Sequence, residues 1–240
     1  MKDCLYKKGE VSEDFSFNEQ VAAVFDDMLN RSIPCYALVI DAMAHILARR
    51  LPAGAQVYDL GCSVGTTVFS LAKRLAAKRF CYTGIDSASP MLEKAKENMH
   101  KIAPQANIHF LEGDIISSPL AGAHAVLCNY TLQFIRPVVR QSFVERIYAS
   151  LPPGGVFLLS EKTISHATAL NRDFIAIYHA FKKSQGYSEM EIAAKREALE
   201  NVLVPFSLEE NCTLLRHAGF AEVEIFFTWF NFNSLVALKR

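Results

Sequence analysis

The sequence has no excess of either charge and no long apolar run. Its 240 residues include 25 Lys and Arg and 25 Asp and Glu, so no broad cationic surface is available for a nucleic-acid backbone. The longest apolar stretch, Cys35–Ala48, is interrupted by Asp41 and is too short to span a bilayer. The N-terminal residues lack the apolar segment of a secretory signal. We therefore expect a cytoplasmic protein that binds neither nucleic acid nor a membrane.

Cysteines are also few, and none are spaced as metal ligands usually are. The 6 cysteines are scattered without a C-x-x-C pair, and no histidines accompany them at zinc-ligand spacing. This pattern predicts reduced thiols and no metal site. Hydrophobic residues make up 51% of the chain, and no linker or repeat divides it. We therefore expect a single domain over residues 1–240, and an enzyme with a small-molecule substrate is the default function.

Short apolar runs alternate with helical patterns in the middle of the chain. Strands are predicted at Val57–Leu60, Phe80–Ile85, Ile108–Leu111, Ala125–Asn129 and Val156–Ser160. Helices are predicted between them at about Thr67–Ala77, Pro90–His100 and Arg136–Leu151. This alternation is typical of an α/β fold with a mainly parallel sheet and helices on both faces.

Further elements flank the alternating region. Ser16 and Glu19 match a capping box, which predicts that the first helix of an N-terminal cap over residues 1–50 begins there. Residues 163–205 are predicted to form a helical insertion. The other flanking helices are predicted at Tyr36–Arg50, Thr168–Ser184, Ser188–Val202, where Ser188 and Glu191 match a second capping box, and Leu208–Ala218. Two last strands, predicted at Ala221–Phe227 and Phe232–Lys239, would add an antiparallel edge to a seven-stranded sheet.

The first predicted strand ends in the run Val57-Tyr-Asp-Leu-Gly-Cys-Ser-Val-Gly65. The strand delivers Asp59 to its C-terminal end, and Gly61 lets the backbone turn closely beneath a ligand. The run is not the dinucleotide fingerprint G-x-G-x-x-G, because Ser63 and Thr66 occupy glycine positions of that motif. Its form, D-x-G-x-x-x-G, resembles the first motif of the class I S-adenosylmethionine (SAM)-dependent methyltransferases.

Carboxylates follow the next two predicted strands. Asp86 ends the second strand and can accept both hydrogen bonds of a ribose diol. Asp114 follows the third strand, where such folds place the residue that binds an adenine amino group. The fourth strand end, Leu127-Cys-Asn-Tyr-Thr131, lacks the prolines of the N/D-P-P-Y motif of nucleobase amino-methyltransferases. The strand ends together predict a SAM site and do not support ordinary base methylation.

Several runs of residues carry a resemblance beyond the SAM-binding turn. They are Arg31-Ser-Ile-Pro-Cys-Tyr36, Gly61-Cys-Ser63, Asn129-Tyr-Thr-Leu-Gln-Phe134, Ser160-Glu-Lys162, Gly186-Tyr-Ser-Glu189, Lys195-Arg196, Leu199-Glu-Asn-Val202 and Phe230-Asn-Phe-Asn-Ser-Leu-Val-Ala-Leu-Lys239. Through them the chain, from about Phe17 to Lys239, resembles the carboxy-SAM synthases, a family that serves wobble-uridine modification in bacterial tRNA. The family has glycine at position 35, where this chain has Cys35.

The resemblance implies a Rossmann-like class I methyltransferase fold in which SAM is carboxylated and is not a methyl donor. Prephenate would supply a carboxyl group to the methyl carbon of SAM, giving carboxy-SAM, phenylpyruvate and water. By the same resemblance, the cofactor site is lined by Tyr36, Gly61, Cys62, Ser63, Asp86, Ser87, Asp114, Ile115 and Asn129. Arg196 would bind the transferred carboxylate, and the protein would be a homodimer.

Two other functions stay open at the level of sequence. The chain could be a conventional SAM-dependent methyltransferase that acts on a small acid, or a catalytically silent SAM-binding sensor. Lys162, His179 and Lys182 are candidates for the carboxylates of prephenate, but their spacing does not select among them.

Three of the site residues also have purely structural interpretations. Tyr36 could be a core aromatic residue, and Asn129 could cap a turn. Arg196 could form a surface ion pair with Glu200, which follows it by four residues on a predicted helix.

Overall fold

Seven strands form one sheet in the computed structural model, which describes residues 1–9, 11, 14–99 and 107–240. They are β1 (Gln56–Leu60), β2 (Cys81–Asp86), β3 (Asn107–Glu112), β4 (Ala123–Asn129), β5 (Val156–Lys162), β6 (Glu222–Trp229) and β7 (Phe232–Leu238). Their order across the sheet is β3-β2-β1-β4-β5-β7-β6. Strands β1 to β5 pair in parallel, and β7 is antiparallel to both β5 and β6. The predicted seven-stranded, mainly parallel α/β fold is confirmed, with the antiparallel strand lying next to the edge strand β6.

The described residues contain eight α-helices. They are α1 (Glu19–Ser32), α2 (Tyr36–Arg50), α3 (Thr66–Leu75), α4 (Ser89–Met99), α5 (Pro137–Ser150), α6 (Thr168–Ser184), α7 (Glu189–Leu199) and α8 (Leu208–His217). Short 3₁₀ helices occupy Ala76–Lys78 and Leu132–Phe134. His100, at which the predicted fourth helix ends, lies outside the described residues.

Apolar side chains cover both faces of the sheet. Val57 and Leu127 belong to a buried cluster with side chains of α2 and α3, whereas Tyr58 and Val126 belong to a second cluster with side chains of α5 and α8. Neighbouring residues of one strand point to opposite faces, so both faces of the central strands are buried. Burial on both faces is the physical reason why these strands are continuous apolar runs in the sequence.

The first helix begins later than the capping-box pattern predicts, so that prediction is wrong. Its N-cap is Asn18, whose side chain accepts a hydrogen bond from the backbone N–H of Val21 at 3.0 Å. The Ser16 hydroxyl instead accepts a hydrogen bond from the Asn18 side-chain amide at 3.3 Å. Asn and Ser are comparable N-caps, so local pattern does not rank two candidates this close together. The predicted capping box of Ser188 and Glu191 is confirmed at the start of α7.

Cys35 adopts the left-handed backbone conformation, which glycine adopts most readily. Its φ is 57°, and it is the N-cap of α2 without a side-chain hydrogen bond. This conformation costs a non-glycine residue about 1–2 kcal/mol, so the turn is kept at some cost in stability.

No single helix of the described residues is long and apolar enough to cross a membrane. Helices α1 and α2 meet that requirement only as a pair, and they bend by 91° at the turn between them.

A buried polar cluster fastens the N-terminal segment to α1 and α7. Asp3 is 1% exposed, and its carboxylate lies 3.6 Å from Lys195 Nζ and accepts a hydrogen bond from the Tyr187 hydroxyl. Lys195 also donates to the Ser32 hydroxyl at 3.0 Å. The Arg31 guanidinium donates to the Asp3 backbone carbonyl at 3.1 Å and lies 3.9 Å from the centroid of the Tyr187 ring. Burial lowers the pKa of Lys195 to about 8, although the charge of Asp3 opposes this shift.

We expect Asp3→Asn to lower the free energy of unfolding by about 3 kcal/mol near pH 7, because it leaves a buried ammonium without its counter-charge. The attraction between Asp3 and Lys195 that this variant loses exists only while Lys195 is charged. The penalty should therefore shrink as pH rises through about 8, where this lysine becomes neutral in the folded protein. Urea denaturation near pH 7 and near pH 9.5 measures both effects. Asp14→Asn, at an exposed residue of the same segment, is the control, and an equal loss at both pH values would contradict the charge argument.

Candidate functional site

The connections of the sheet reverse direction at β1. This strand pairs with β2 on one side and with β4 on the other, and β3 and β5 continue outward on the two sides. In open parallel sheets, ligands bind outside the carboxyl ends of the strands at such a point. The five parallel strands end here in Leu60, Asp86, Glu112, Asn129 and Lys162. The fold therefore brings the predicted strand-end residues to one edge of the sheet.

A cavity of about 800 Å³ lies at this edge. Helices α1, α2, α6 and α7 contribute to its wall, together with the loops that follow β1 to β4. All ten residues that the sequence assigns to the site line this cavity, namely Tyr36, Gly61, Cys62, Ser63, Asp86, Ser87, Asp114, Ile115, Asn129 and Arg196. The structure therefore brings them together, and their roles toward a ligand stay predictions.

The turn after β1 is built from unusual backbone angles. Gly61 and Gly65 both have φ of 78°, and Ser63 between them has φ of 51°. A Cβ atom at Gly61 would lie 2.5 Å from the side chain of Thr131, so a side chain has no room there. The backbone N–H of Ser63 donates to Asp86 Oδ2 at 2.9 Å. This hydrogen bond joins the turn to the end of β2.

Backbone amides orient two of the three carboxylates of the cavity wall, Asp86 and Asp114. In addition to Ser63, the N–H of Ala88 donates to Asp86, at 3.0 Å to Oδ1. Burial raises the pKa of Asp86, and these backbone hydrogen bonds oppose the shift. A carboxylate has about four lone-pair positions, so Asp86 keeps acceptor capacity for a ribose diol. Asp114 is exposed and accepts a hydrogen bond from the N–H of Ile116 at 2.9 Å, which orients its side chain.

Asp59, the acid of the sequence motif, lies beneath the turn and is not part of the cavity wall. It is 1% exposed, and the Tyr82 hydroxyl donates to its Oδ2 at 2.7 Å. Burial raises the pKa of Asp59 to about 6. Asp59 therefore supports the strand end, and Asp86 and Asp114 are the acids of this motif region that meet the cavity.

Asn129, at the end of β4, brings unpaired polar atoms to the cavity wall. Its Oδ1 and Nδ2 are both buried and have no hydrogen-bond partner among the described residues. Buried polar groups nearly always have a partner, so Asn129 is not a turn cap and is available to a ligand. Tyr36 packs against Tyr130 with ring centroids 6.2 Å apart. Burial raises the pKa of both phenols, which are therefore neutral.

Basic side chains form a second part of the cavity wall, and they are Arg136, Lys162, His179, Lys182, Lys195 and Arg196. Arg196, in the last turn of α7, is exposed and has no ion pair with Glu200 or any other described residue. The surface ion pair considered from the sequence is therefore absent. Burial and then neighbouring cations lower the pKa of Lys182 to about 7.

The structure adds aromatic residues that the sequence did not indicate. Phe17, from the segment before α1, has its ring centroid 6.1 Å from that of Phe25 and 5.4 Å from that of Phe134. All three rings line the cavity, as does Thr131. These contacts join distant parts of the chain, so no local spacing reveals them. The run Asn129–Phe134, noted for its resemblance to a family, was the one available signal.

Comparison with known proteins identifies the class of this fold. Residues 57–155 match the family model described as a methyltransferase domain. The apo structure of the SAM-dependent methyltransferase SibL has a TM-score of 0.66 at 16% identity, covering 98% of this chain and 64% of that chain. Human N-acetylserotonin methyltransferase with SAM has a TM-score of 0.63 at 17% identity, covering 99% and 62%. The chain spans less than two thirds of both structures and has the Rossmann-like fold of the class I SAM-dependent methyltransferases.

Sequence relatives identify the family within that class. The carboxy-S-adenosyl-L-methionine synthase of Desulfotalea psychrophila is 54% identical over 99% of this chain and 97% of its own length. The synthase of Wolinella succinogenes is 44% identical over 100% and 99% of the two chains. The chain therefore belongs to the carboxy-SAM synthase family, and the resemblance noted in its sequence is confirmed.

We expect Gly61→Ala to lower the free energy of unfolding more than Gly54→Ala does. Both glycines have positive φ, 78° and 73°, so the backbone strain of alanine is the same at both, about 1–2 kcal/mol. A Cβ atom at Gly54 meets nothing within 4 Å, whereas one at Gly61 overlaps Thr131. The overlap should cost about 1–3 kcal/mol more. Urea denaturation measures the difference, and equal losses would show that the close contact is unimportant.

Proposed function

We propose that the protein converts SAM and prephenate into carboxy-SAM, phenylpyruvate and water. Prephenate loses one carboxyl group as carbon dioxide and its ring hydroxyl as hydroxide, which leaves the aromatic ring of phenylpyruvate. The hydroxide takes a proton from the S-methyl group of SAM to give water, and the methyl carbon forms its new bond to the carbon dioxide. The observation that carries this proposal is the meeting, in one cavity, of strand-end carboxylates suited to an adenosyl group and of cations suited to carboxylates. Relatives named carboxy-SAM synthase over the full chain support it. We further propose that the product serves synthesis of 5-oxyacetyluridine at the tRNA wobble position.

The strand-end residues would bind the adenosyl part of SAM. Asp86 would accept the ribose hydroxyls and Asp114 the adenine amino group. The unpaired amide of Asn129 is a buried group that a polar ligand would satisfy, so the site fits such a molecule. SAM itself supplies a methyl group that is acidified by the adjacent sulfonium. The chain's task is to orient that methyl group toward the incoming carboxyl group.

Arg196 favours carboxylation over methyl transfer. A methyl donor carries no additional anion at its reacting carbon, so a methyltransferase needs no guanidinium there. A product with a new carboxylate gains from a planar cation that donates two parallel hydrogen bonds. Arg196 lines the cavity and has no acid partner among the described residues. It would therefore bind the carboxylate of carboxy-SAM.

Aromatic side chains would keep water away from the transferred group. Phe17, Phe134 and Tyr130 line the cavity, and the Tyr130 side chain is buried. Excluding water strengthens the electrostatic interactions inside a site and prevents loss of a reactive group to solvent. These rings come from two separate segments, the one before α1 and the one after β4, so they would close the cavity only when the N-terminal segment is in place.

The location and assembly of the protein are further parts of the proposal. All 6 cysteines are free thiols, which suits a reducing compartment such as the cytoplasm.

Leu170 and Ile175 on α6 are 52% and 40% exposed, and the nearby Phe230 is 42% exposed. A second copy of the chain would cover such apolar surface, so we propose a homodimer. Prephenate is its substrate, and no direct contact with nucleic acid is required.

We expect purified protein incubated with SAM and prephenate to form an adenosyl sulfonium heavier than SAM by one carboxyl substitution. Mass spectrometry of the released ligand measures this product, and phenylpyruvate should appear in equal amount. Incubation with SAM alone is the control. When the methyl group of SAM carries three deuterium atoms, the carboxy-SAM that forms should retain two of them on the reacting carbon.

The same measurement separates the alternatives. A conventional methyltransferase would transfer the intact labelled methyl group to the acid and leave S-adenosylhomocysteine. A silent sensor would return SAM unchanged although it binds. Either result would exclude the proposed synthase activity.

We expect Arg196→Ala to weaken carboxy-SAM binding about 10- to 100-fold, or about 1.4–2.8 kcal/mol, because it removes charged hydrogen bonds to the new carboxylate. SAM, which lacks that carboxylate, should bind with nearly unchanged affinity. Arg196→Lys should restore part of the loss, since an ammonium does not reproduce the planar fork. Calorimetric titration of both ligands at one salt concentration measures the two affinities.

Arg172→Ala is the matched control, because Arg172 is exposed on α6 and is not among the residues lining the cavity. Equal losses for SAM and carboxy-SAM would assign Arg196 to another part of the ligand. No loss for either would leave it a solvated side chain.

A further inference from the structure

Two lysines from different elements approach the same aromatic ring in the cavity wall. Lys162, at the end of β5, has its Nζ 5.2 Å from the centroid of the Tyr178 ring, and Lys182 of α6 has its Nζ 4.5 Å away. Tyr178 is anchored, since its hydroxyl donates to the Ser32 carbonyl at 2.9 Å and its ring centroid lies 5.0 Å from that of Phe232. All five of these residues line the same cavity. We name Lys162, Tyr178 and Lys182 the lysine–tyrosine site.

Neither lysine of this site has an acid partner within the part of the chain that the structure describes. Lys182 is 6% exposed, so its ammonium is largely removed from water. A buried cation without a counter-charge is costly, and burial lowers the pKa of both lysines. The Tyr178 ring offsets only part of this cost, because a cation–π contact is weaker than a buried pair of opposite charges. The arrangement is therefore complete only when an anion is bound.

The other basic groups of the cavity wall are paired, neutral or placed on other elements, so the two lysines are the ones available to bind an anion beside Tyr178. Lys195 already pairs with Asp3 at 3.6 Å. His179 faces the same side of the cavity, and burial and the adjacent cations lower its pKa below 6.5, so it is neutral near pH 7. The remaining cations of the cavity wall are Arg196, in the last turn of α7, and Arg136, at the N-cap of α5. The charges that act on Lys182 come from other cations and no carboxylate is among them.

We propose that the lysine–tyrosine site binds a carboxylate of the acid co-substrate, at a position separate from the one where Arg196 meets the carboxylate of the product. The inference deepens the proposed function and rests on it. Two ammonium groups can share the two oxygens of one carboxylate. The rings of Tyr178 and Phe232 provide an apolar surface for an acid that carries an unsaturated ring, as prephenate and phenylpyruvate do.

The test uses Lys162→Met and Lys182→Met, which keep the length of each side chain and remove its charge. Binding of prephenate and, separately, of phenylpyruvate is measured calorimetrically with S-adenosylhomocysteine present, so that no turnover is needed. We expect each variant to weaken prephenate binding at least tenfold and to leave SAM affinity within twofold. Lys183→Met is the matched control, because Lys183 is the next residue of α6, is exposed and pairs with Glu189 at 2.6 Å.

The variant Lys182→Arg distinguishes the effect of the charge of Lys182 on prephenate affinity from the effect of its shape. The pKa of Lys182 is about 7, so in the parent protein prephenate affinity should fall as pH rises from about 6.5 to 9. Lys162, Lys195 and Arg196 face the same group and contribute to the parent's profile. Arginine stays protonated over this range, so Lys182→Arg should bind at near-parent strength at low pH and show a flatter profile. A merely structural role for Lys182 would leave the slope of the profile unchanged.

Each other outcome decides the matter. Equal losses of SAM and prephenate affinity would assign the two lysines to the carboxylate of SAM's own methionine part and overturn the inference. Unchanged prephenate binding in both methionine variants would also overturn it. If the parent forms no carboxy-SAM but binds prephenate through these lysines, the proposed function fails and the anion site stands. If it forms carboxy-SAM and the variants bind prephenate normally, the function stands and the site fails.

Discussion

The parallel pairing of β1 with both β2 and β4 is the constraint on which the rest of the site depends. Its register sets Asp59 opposite Gly84 and Leu127, so the three strands end level with one another. Parallel strands place their carboxyl ends at the same edge, and the turns that follow them converge there. The tight turn at Gly61 and the carboxylate of Asp86 can hydrogen-bond through Ser63 only because this register holds.

Electrostatic imbalance is the second organising feature. The strand ends supply Asp86 and Asp114, and the elements that follow the sheet's centre supply basic side chains that form no ion pair among the described residues, except where Asp3 meets Lys195. Such a wall lowers the stability of the unliganded protein, because buried cations favour losing their protons. A bound anion would remove this destabilisation, and the free energy so recovered would contribute to its binding. A cavity with this composition is therefore organised around acidic ligands.

The strands of the sheet were predictable because their signals in the sequence are local. The exact start of the first helix and the clustering of the cations were not predictable. The end of β4 at Asn129 is visible as an apolar run followed by a polar residue, and the structure ends the strand there. The start of α1 was placed wrongly because two adequate N-caps lie close together. Lys162 and Lys182 meet only through the packing of α6 beside β5 at Tyr178, which no spacing along the chain encodes. The strand-end pattern indicated Gly61, Asp86 and Asp114, the family resemblance named all ten predicted site residues, and all ten line one cavity.

The match to the methyltransferase domain covers residues 57–155, and the structural neighbours with that fold are 16% and 17% identical to this chain. Under the proposed function, the strand ends in that range bind the adenosyl part of SAM. Most basic side chains of the cavity wall lie beyond it, on the end of β5 and on α6 and α7, and Asp3 pairs with Lys195 of α7. Under the proposed function, the strand ends supply the site for the adenosyl group, and the elements that follow supply the side chains that meet the second reactant.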